Sequence, residues 1–408
     1  MANRPYPVIT VNEKAARSLR AGHPWVYGAE TPGPDRPCQN GDLVDVVSQK
    51  GRWLGTGLYN NHSKILVRLL SRNTNDRFDQ GFWRRRLRYA LDYRKTVMGP
   101  DYACCRLIFG EADQFPGLTV DRFGDILVTE VLSLGMEVRK DLLYPLLVDL
   151  LREDGVTVRA IYERSDSPLR DKEGLPKVTG FYPLPGLATD LDGHLLLEEN
   201  GIRYDVDYIH GQKTGFFLDQ KYNRRAAAAL APGRKVLDCF THTGAFALNC
   251  AQAGAAQVTA VDISQEAVAL TQRNAALNGL AGKVEARQAD VFDLLTQLAQ
   301  AGGHPYDYII LDPPAFTKSG ATVKNAFRGY KEINYKAMKL LPRGGYLATC
   351  SCSHFMTPAL FCQMLREAAA DAAVSLRQIA DRRQAPDHPI LWGVPETEYL
   401  KFYLFQVI

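Results

Sequence analysis

From residue 235 onward, strand-like and helix-like stretches alternate, and this constrains the fold more than any other feature. The stretches KVLDCF, QVTAVDI, VEARQAD, YDYIILD, GGYLATCS and KFYLFQVI read as strands. Between them lie GAFALNCAQAG, SQEAVALTQRNAALNG, VFDLLTQLAQ, INYKAMKLL and PALFCQMLREAAADA, which read as helices. Strict alternation implies a parallel, doubly wound sheet. In open sheets of this kind ligands sit outside the carboxyl ends of the strands, so the residues closing each strand are the ones to inspect.

Those residues are Asp238, Asp262, Asp290 and Asp312. The first strand runs into FTHTGAF, which has the single glycine Gly244 where a dinucleotide site has GxGxxG. A ligand with a smaller anionic group, held by N–H groups at a helix N-terminus, fits better. Asp262 ends the second strand, where a carboxylate accepts hydrogen bonds from both ribose hydroxyls of a nucleoside. Asp290 ends the third, where it can take an adenine exocyclic amine. Aspartate also caps helices, which explains any one of these positions but not four in register.

These motifs resemble those of class I S-adenosylmethionine-dependent methyltransferases: VLDCFTHTGAF, AVDIS, QADVF and ILDPPAF follow in the family's order. The resemblance implies S-adenosylmethionine as cofactor, with Asp238, Thr243 and Gly244 around its methionine end, Asp262 at the ribose and Asp290 at the adenine. Phe240, Ser264 and Asp312 join this set. Upstream, QKTGFFLDQKYNR (212–224) resembles a segment that closes over the cofactor in certain RNA methyltransferases, which implies contacts from Phe217, Gln220 and Arg224.

The reaction is read from two further motifs. In DPPAF, Pro313 and Pro314 fix the backbone around Asp312, and Phe316 can stack on a flipped-out base. Alone, this motif suggests N-methylation of a purine. GGYLATCSCSHFM then places Cys350 and Cys352 at the end of the next strand. Carbon 5 of a pyrimidine becomes nucleophilic when a thiolate adds to carbon 6, and an acid near N3 stabilises the adduct. Cysteine is also among the most buried residue types, which accounts for Cys239, Cys250 and Cys362. Spacing leaves open which of Cys350 and Cys352 reaches a substrate, since alternation puts both on one strand face. Lys318 is a candidate for lowering the thiol pKa or for touching phosphate. His354 is a candidate for removing the C5 proton, though a bystander histidine explains it as well.

The remaining chain supplies other modules. GDLVDVV, WLGTGLY and ILVRLL suggest a small β-barrel over residues 1–73, and SRNTND reads as a linker. FDQGFWRRRLRYALDYRKTVM reads as an amphipathic basic helix, followed by an α+β segment. Residues 1–100 carry 17 Lys and Arg against 8 Asp and Glu, although the whole chain is only +4. Basic charge at one end points to a polyanionic partner, and Arg84, Arg85, Arg86, Arg88, Arg94 and Lys95 are read as part of the surface that meets it. FGEADQFPGLTVDRFGD reads as a structural hairpin. The composition excludes disorder and fibre. No apolar run resembles a secretion signal or membrane span, so a cytoplasmic protein with eight free thiols is expected, with no membrane partner and no metal site.

Taken together, GHPWVYG, GLYN, FGEADQFPGLTVDRFGD, GQKTGFFLDQ, DPPAF and SCS resemble the bacterial 23S ribosomal RNA cytosine-C5 methyltransferase family known as large-subunit methyltransferase I. The resemblance covers essentially the whole chain. It implies an α/β protein with an N-terminal PUA β-barrel that binds RNA (1–73), a central α+β domain (74–190) and a C-terminal Rossmann-like class I methyltransferase domain (191–408). The family's nucleophile maps to Cys352, with Asp312 supporting the ring and Pro313, Pro314, Phe316 and Lys318 on the substrate side. FTHTGAF departs from the family's more common FSYTGGF, which leaves the role of His242 open. The expected partner is RNA, 23S ribosomal RNA in particular, and a homodimer is compatible with the sequence. Purine N-methylation and a non-catalytic RNA-binding or ribosome-assembly role stand as the alternatives.

Overall fold

Apolar runs such as Tyr308–Leu311, buried at all four positions, suit strands covered on both faces. The computed structural model describes residues 4–317 and 319–408, and the chain divides into two units. The first contains residues through Leu195 together with Asp207–Phe216 and Pro386–Thr397. The second contains Leu196–Val206, Phe217–Ala385 and Glu398–Ile408.

In the first unit, β1 (Val8–Val11), β2 (Trp25–Tyr27), β3 (Leu43–Ser48), β4 (Trp53–Tyr59) and β5 (Ile65–Ser71) form a sheet in the order β1-β3-β4-β5-β2. Val26, Val44, Val46 and Val67 close its core with Ala15, Ala16 and Leu19 of the helix Glu13–Arg20. Gly57 is required at the register shift where β4 pairs with β5, because a Cβ there would lie 2.5 Å from the Arg68 carbonyl oxygen. A second sheet, ordered β10-β9-β8-β7-β6, contains β6 (Cys104–Phe109), β7 (Leu118–Phe123), β8 (Ile126–Val131), β9 (Ala160–Ser165) and β10 (Val178–Phe181). FGEADQFPGLTVDRFGD does form the β6–β7 connection and β7, and Asp121 is buried against Arg106 at 2.7 Å.

The basic helix exists as Gln80–Met98, burying Phe82, Trp83, Leu87 and Leu91. Its charges, however, differ from expectation. Arg94 is fully buried and ion-paired with Asp113. Arg88 meets Asp154 at 2.7 Å and Glu153 at 3.0 Å, and Arg85 meets Asp76 at 2.9 Å. Arg84 pairs with Glu153, Lys95 with Asp154, and Arg86 donates to the Leu70 carbonyl at 2.8 Å. The reading of this cluster as an open phosphate-binding surface is corrected for Arg94, which is inaccessible, and is reduced for the others by local carboxylates.

The second unit takes most of the hairpin β11 (His194–Glu199) and β12 (Ile202–Asp207), followed by a seven-stranded sheet. Its strands are β13 (Lys235–Cys239), β14 (Gln257–Asp262), β15 (Val284–Gln288), β16 (Tyr308–Leu311), β17 (Tyr346–Ser351), β18 (Leu376–Arg382) and β19 (Lys401–Val407), ordered β15-β14-β13-β16-β17-β19-β18. The strands from β13 to β17 run parallel, and β19 is antiparallel to both neighbours. One face is covered by the helices Val291–Ala301, Val323–Leu340 and Pro358–Asp371. They bury Leu294, Leu295, Tyr330, Ile333, Met338, Phe361 and Met364 against Leu237, Ile309, Leu311 and Leu347. Each such side chain contributes about 1.5–3 kcal/mol. The sheet is the doubly wound, Rossmann-like one expected, with β18 added. That strand has a mostly exposed pattern and no apolar alternation to mark it.

Candidate active site

The order β15-β14-β13-β16 sets the four aspartates side by side, roughly one strand spacing of about 4.8 Å apart. Asp262 closes β14, and Asp238 is one residue short of the end of β13. Asp312 follows β16 directly, and Asp290 lies two residues beyond β15.

The loop after β13 holds Phe240, His242 and Gly244 at φ of 65°, 53° and 80°. Left-handed backbone at two non-glycine residues costs of order 1–3 kcal/mol each and persists only where surroundings enforce it. The result is a tight curl into the helix Ala245–Gln252. At Gly244 any Cβ would fall 2.7 Å from the Thr271 methyl, so glycine is required for space as well as for φ. Thr243 is buried, and its carbonyl accepts from Asn274 Nδ2 at 3.0 Å.

Asp238 is fully buried. Its Oδ2 accepts from Thr241 Oγ1 at 2.5 Å and from the Ala247 N–H at 3.0 Å, while its Oδ1 has no hydrogen-bond partner among the described residues. Burial pushes its carboxyl up to about 7; Thr241 and Ala247 oppose the rise, and Asp312 and Asp262 add to it. Asp262 is half-buried and oriented by two backbone donors, His242 N at 2.9 Å on one oxygen and Ser264 N at 3.0 Å on the other. The Ser264 hydroxyl is committed to capping the helix Gln265–Leu277. Asp290 also serves as a cap, accepting from Phe292 N at 2.8 Å and Asp293 N at 3.2 Å through a single oxygen.

The segment Phe217–Gln220 borders this site. The Phe217 ring packs edge-on to His242, with centroids 4.9 Å apart. Burial lowers the His242 pKa to about 4, so the ring is neutral at physiological pH and acts as an aromatic wall. That assigns the position left open by the departure from FSYTGGF. Arg224, expected to touch cofactor, has its buried guanidinium engaged by both oxygens of Glu199 at 2.6 and 2.8 Å and by the Phe217 carbonyl at 2.8 Å. It anchors the segment rather than presenting its charge. Gln220 Nε2 donates to Asp312 Oδ1 at 3.0 Å, and its own carbonyl accepts from Asn223 Nδ2 at 2.7 Å.

Asp312 keeps an edge open to solvent, yet burial, then Asp219, push its carboxyl up to about 7 against the opposing effects of Arg224, Gln220 and Cys350. Pro313 is buried and Pro314 exposed. Phe316 is half-buried, its ring 4.5 Å from Tyr330 and 5.8 Å from Phe292 between centroids, so it lines the wall of the site more than it projects from it. Lys318 lies outside the described residues.

Parallel pairing of β16 with β17 matches Leu311 to Thr349, which brings Cys350 beside Asp312. Cys350 is fully buried, and burial followed by Asp312 holds its thiol well above the ordinary cysteine range. The expectation that Cys350 and Cys352 share one strand face is corrected here, because β17 ends at Ser351. Beyond that point Ser351 Oγ donates to Tyr330 OH at 3.1 Å and Ser353 Oγ to the Thr317 carbonyl at 2.9 Å. With both serines drawn inward, Cys352 between them is half-buried. Sequence reasoning missed Thr241, Asn223 and Glu199, which orient site residues; Lys401, treated below, was read only as part of a strand.

The fold and this row of carboxylates define an S-adenosylmethionine-dependent methyltransferase. Residues 189–406 match the family model for S-adenosylmethionine-dependent methyltransferases, and residues 9–72 match a PUA-like domain. The chain belongs to the ribosomal RNA large subunit methyltransferase I family. It is 42% identical over 391 residues to the Shewanella denitrificans protein of that name, covering 94% of this chain and 95% of the relative. It is 37% identical over 411 residues to the Klebsiella pneumoniae (strain 342) protein, covering all of both. In fold it is similar to a provisionally assigned SAM-dependent methyltransferase from Streptococcus mutans, with TM-score 0.82 and 21% identity over 98% of this chain and 99% of the other. A structure of a provisionally assigned methyltransferase complexed with SAH scores 0.83 at 21% identity with the same coverage.

The cofactor is S-adenosylmethionine, and the site suits it. The buried Asp238 Oδ1 is an acceptor in want of a donor among the described residues, and carboxyls raised first by burial and then by neighbouring aspartates suit a cationic ligand. No helix among the described residues is long and apolar enough to cross a membrane.

Proposed function

We propose that the protein methylates carbon 5 of a cytosine in large-subunit (23S) ribosomal RNA. The observation that carries this reading is a half-buried cysteine, Cys352, just past the end of β17, the strand that pairs with β16, which Asp312 directly follows with its carboxyl held up to about 7. Asp238 and Gly244 would hold the methionine end of the cofactor, Asp262 its ribose and Asp290, through its second oxygen, the adenine. S-adenosylmethionine supplies an electrophilic methyl group. Cys352 as thiolate adds to C6, and protonated Asp312 donates to N3, which places electron density on C5. After methylation the C5 proton passes to water, the C5–C6 double bond re-forms as the Cys352 thiolate is expelled, and the N3 proton returns to Asp312. Phe316 with Phe240 and Tyr330 forms an aromatic wall against which a flipped-out base would rest. The relatives' name, ribosomal RNA large subunit methyltransferase I, supports the rRNA substrate, and the PUA-like domain supports RNA binding. This reading favours Cys352 over Cys350, whose buried thiol is held protonated.

The test is methyl transfer from tritiated S-adenosylmethionine to undermodified ribosomal RNA, with the labelled nucleoside identified. Label in 5-methylcytosine is expected, with transfer lowered about a thousandfold or more in Cys352→Ala and by less than about tenfold in Cys350→Ala. Label in a purine would replace this reading with N-methylation through DPPAF. Cofactor binding without transfer to any RNA would favour an assembly role.

A further inference from the structure

β19 runs antiparallel to β17, with Lys401 opposite Ser351. Lys401 is 1% exposed, and its ammonium donates to the carbonyls of Ser353 at 2.6 Å and Tyr399 at 2.7 Å. Lysine is almost never buried to this degree without a charge partner. Among the described residues no carboxylate stands within ion-pair distance of it. The carbonyl of Ser353 belongs to the residue after Cys352, so the same ammonium that is buried here also fixes the loop carrying the thiol.

We propose that Lys401 is the positioning cation that keeps Cys352 in its thiolate form, an assignment that rests on Cys352 being the nucleophile. Burial pulls Lys401 down to about 8; the strongest charge pushing it back is Cys352, with Arg383 opposing and Glu398 assisting. Two protonation equilibria that interact do so reciprocally: a thiolate that favours the ammonium is favoured by it to the same extent. Among the described residues, Tyr330 from the helix Val323–Leu340 and Cys350 from β17 also act on Cys352, neither of them a cation, and His354 follows it by two residues in the same loop. Lysine in this place remains mostly protonated at neutral pH, where the thiol must ionise to attack.

The test is the pH dependence of Cys352 alkylation by iodoacetamide in the full-length protein without RNA, read by mass spectrometry of the Cys352 peptide. In wild type the inflection should fall below the ordinary cysteine value of about 8.5. Lys401→Met, which keeps the apolar stem, should move it up by about one unit or more and slow alkylation at pH 7 about tenfold, and Lys401→Arg should restore the low inflection. An unchanged inflection in folded Lys401→Met overturns the proposal. Should that variant fail to fold, a wild-type inflection at or above about 8.5 overturns it equally. Alkylation requires no methyl transfer, so failure here is distinct from failure of the cytosine reading, which shows as full activity in Cys352→Ala.

Discussion

The helix Gln80–Met98 and the aspartates at the strand ends are both dense in charge, and they resolve it in opposite ways. On the helix, Arg84, Arg85, Arg88, Arg94 and Lys95 each meet a carboxylate from nearby in the same unit. At the strand ends, burial raises the proton affinity of both Asp238 and Asp312, with Asp312 adding to the first and Asp219 to the second, and Arg224, which partly offsets Asp312, is itself paired with Glu199. A run of charge in a sequence therefore carries less information than charge left uncompensated after folding. The helix spends its cations on structure, whereas the sheet withholds its counter-charge for a cationic ligand.

The largest effect that can break this contrast is on the helix. Arg94→Ala removes the cation from half-buried Asp113, which keeps the Phe109 N–H beside it, and should destabilise the protein by about 3 kcal/mol in chemical denaturation, against less than about 0.5 kcal/mol for Arg84→Ala. An Arg94→Ala variant as stable as wild type would return the cluster to a ligand-binding role. So would an Arg84→Ala/Arg85→Ala variant whose RNA binding lost about two phosphates' worth of salt dependence.

On the sheet side, Asp238→Asn should have two opposed effects. The folded carboxyl titrates near 7 and the unfolded one near 4. The native state therefore binds the extra proton, and stability falls as pH rises between those values. Asparagine removes that cost, so the cofactor-free variant should gain about 1–3 kcal/mol at pH 8 and less at pH 5, while cofactor affinity falls about 10- to 100-fold. Denaturation at both pH values and calorimetric titration with S-adenosylmethionine check this. A variant destabilised at pH 8 would show that the carboxylate is already compensated.

The smallest expected effect sharpens the boundary of the site. With its pKa near 4, His242 carries no charge above about pH 5.5, so His242→Tyr should change cofactor affinity less than about threefold, with the same pH dependence as wild type from 5.5 to 8. A pH-dependent difference between the two would mean that the histidine charges in the bound state.

What the sequence disclosed follows from the range of the forces involved. Strand and helix alternation and the aspartates that close strands are local patterns, so the sheet from β13 to β17 and its row of carboxylates were legible. β18 was not, because an exposed strand lacks apolar alternation. The partners of the basic helix, among them Asp113, Glu153 and Asp154, lie far along the chain, and no short window reveals them. The two cysteines separated only once the end of β17 and the inward hydrogen bonds of Ser351 and Ser353 were visible. Lys401 sits within KFYLFQVI, whose apolar residues conceal a buried cation that acts on a loop two strands earlier.

The place of β19 between β17 and β18 carries a consequence for the order of assembly. Chain order and sheet order part company here: β18 precedes β19 in synthesis but can join the sheet only through it. Until then the outer edge of β17 offers unpaired backbone groups, the kind of edge that recruits foreign strands. The long-range closure that seals this edge is kinetically late, and the strand that makes it begins with Lys401. A nascent chain would thus complete its sheet and set the loop that carries Cys352 in a single event.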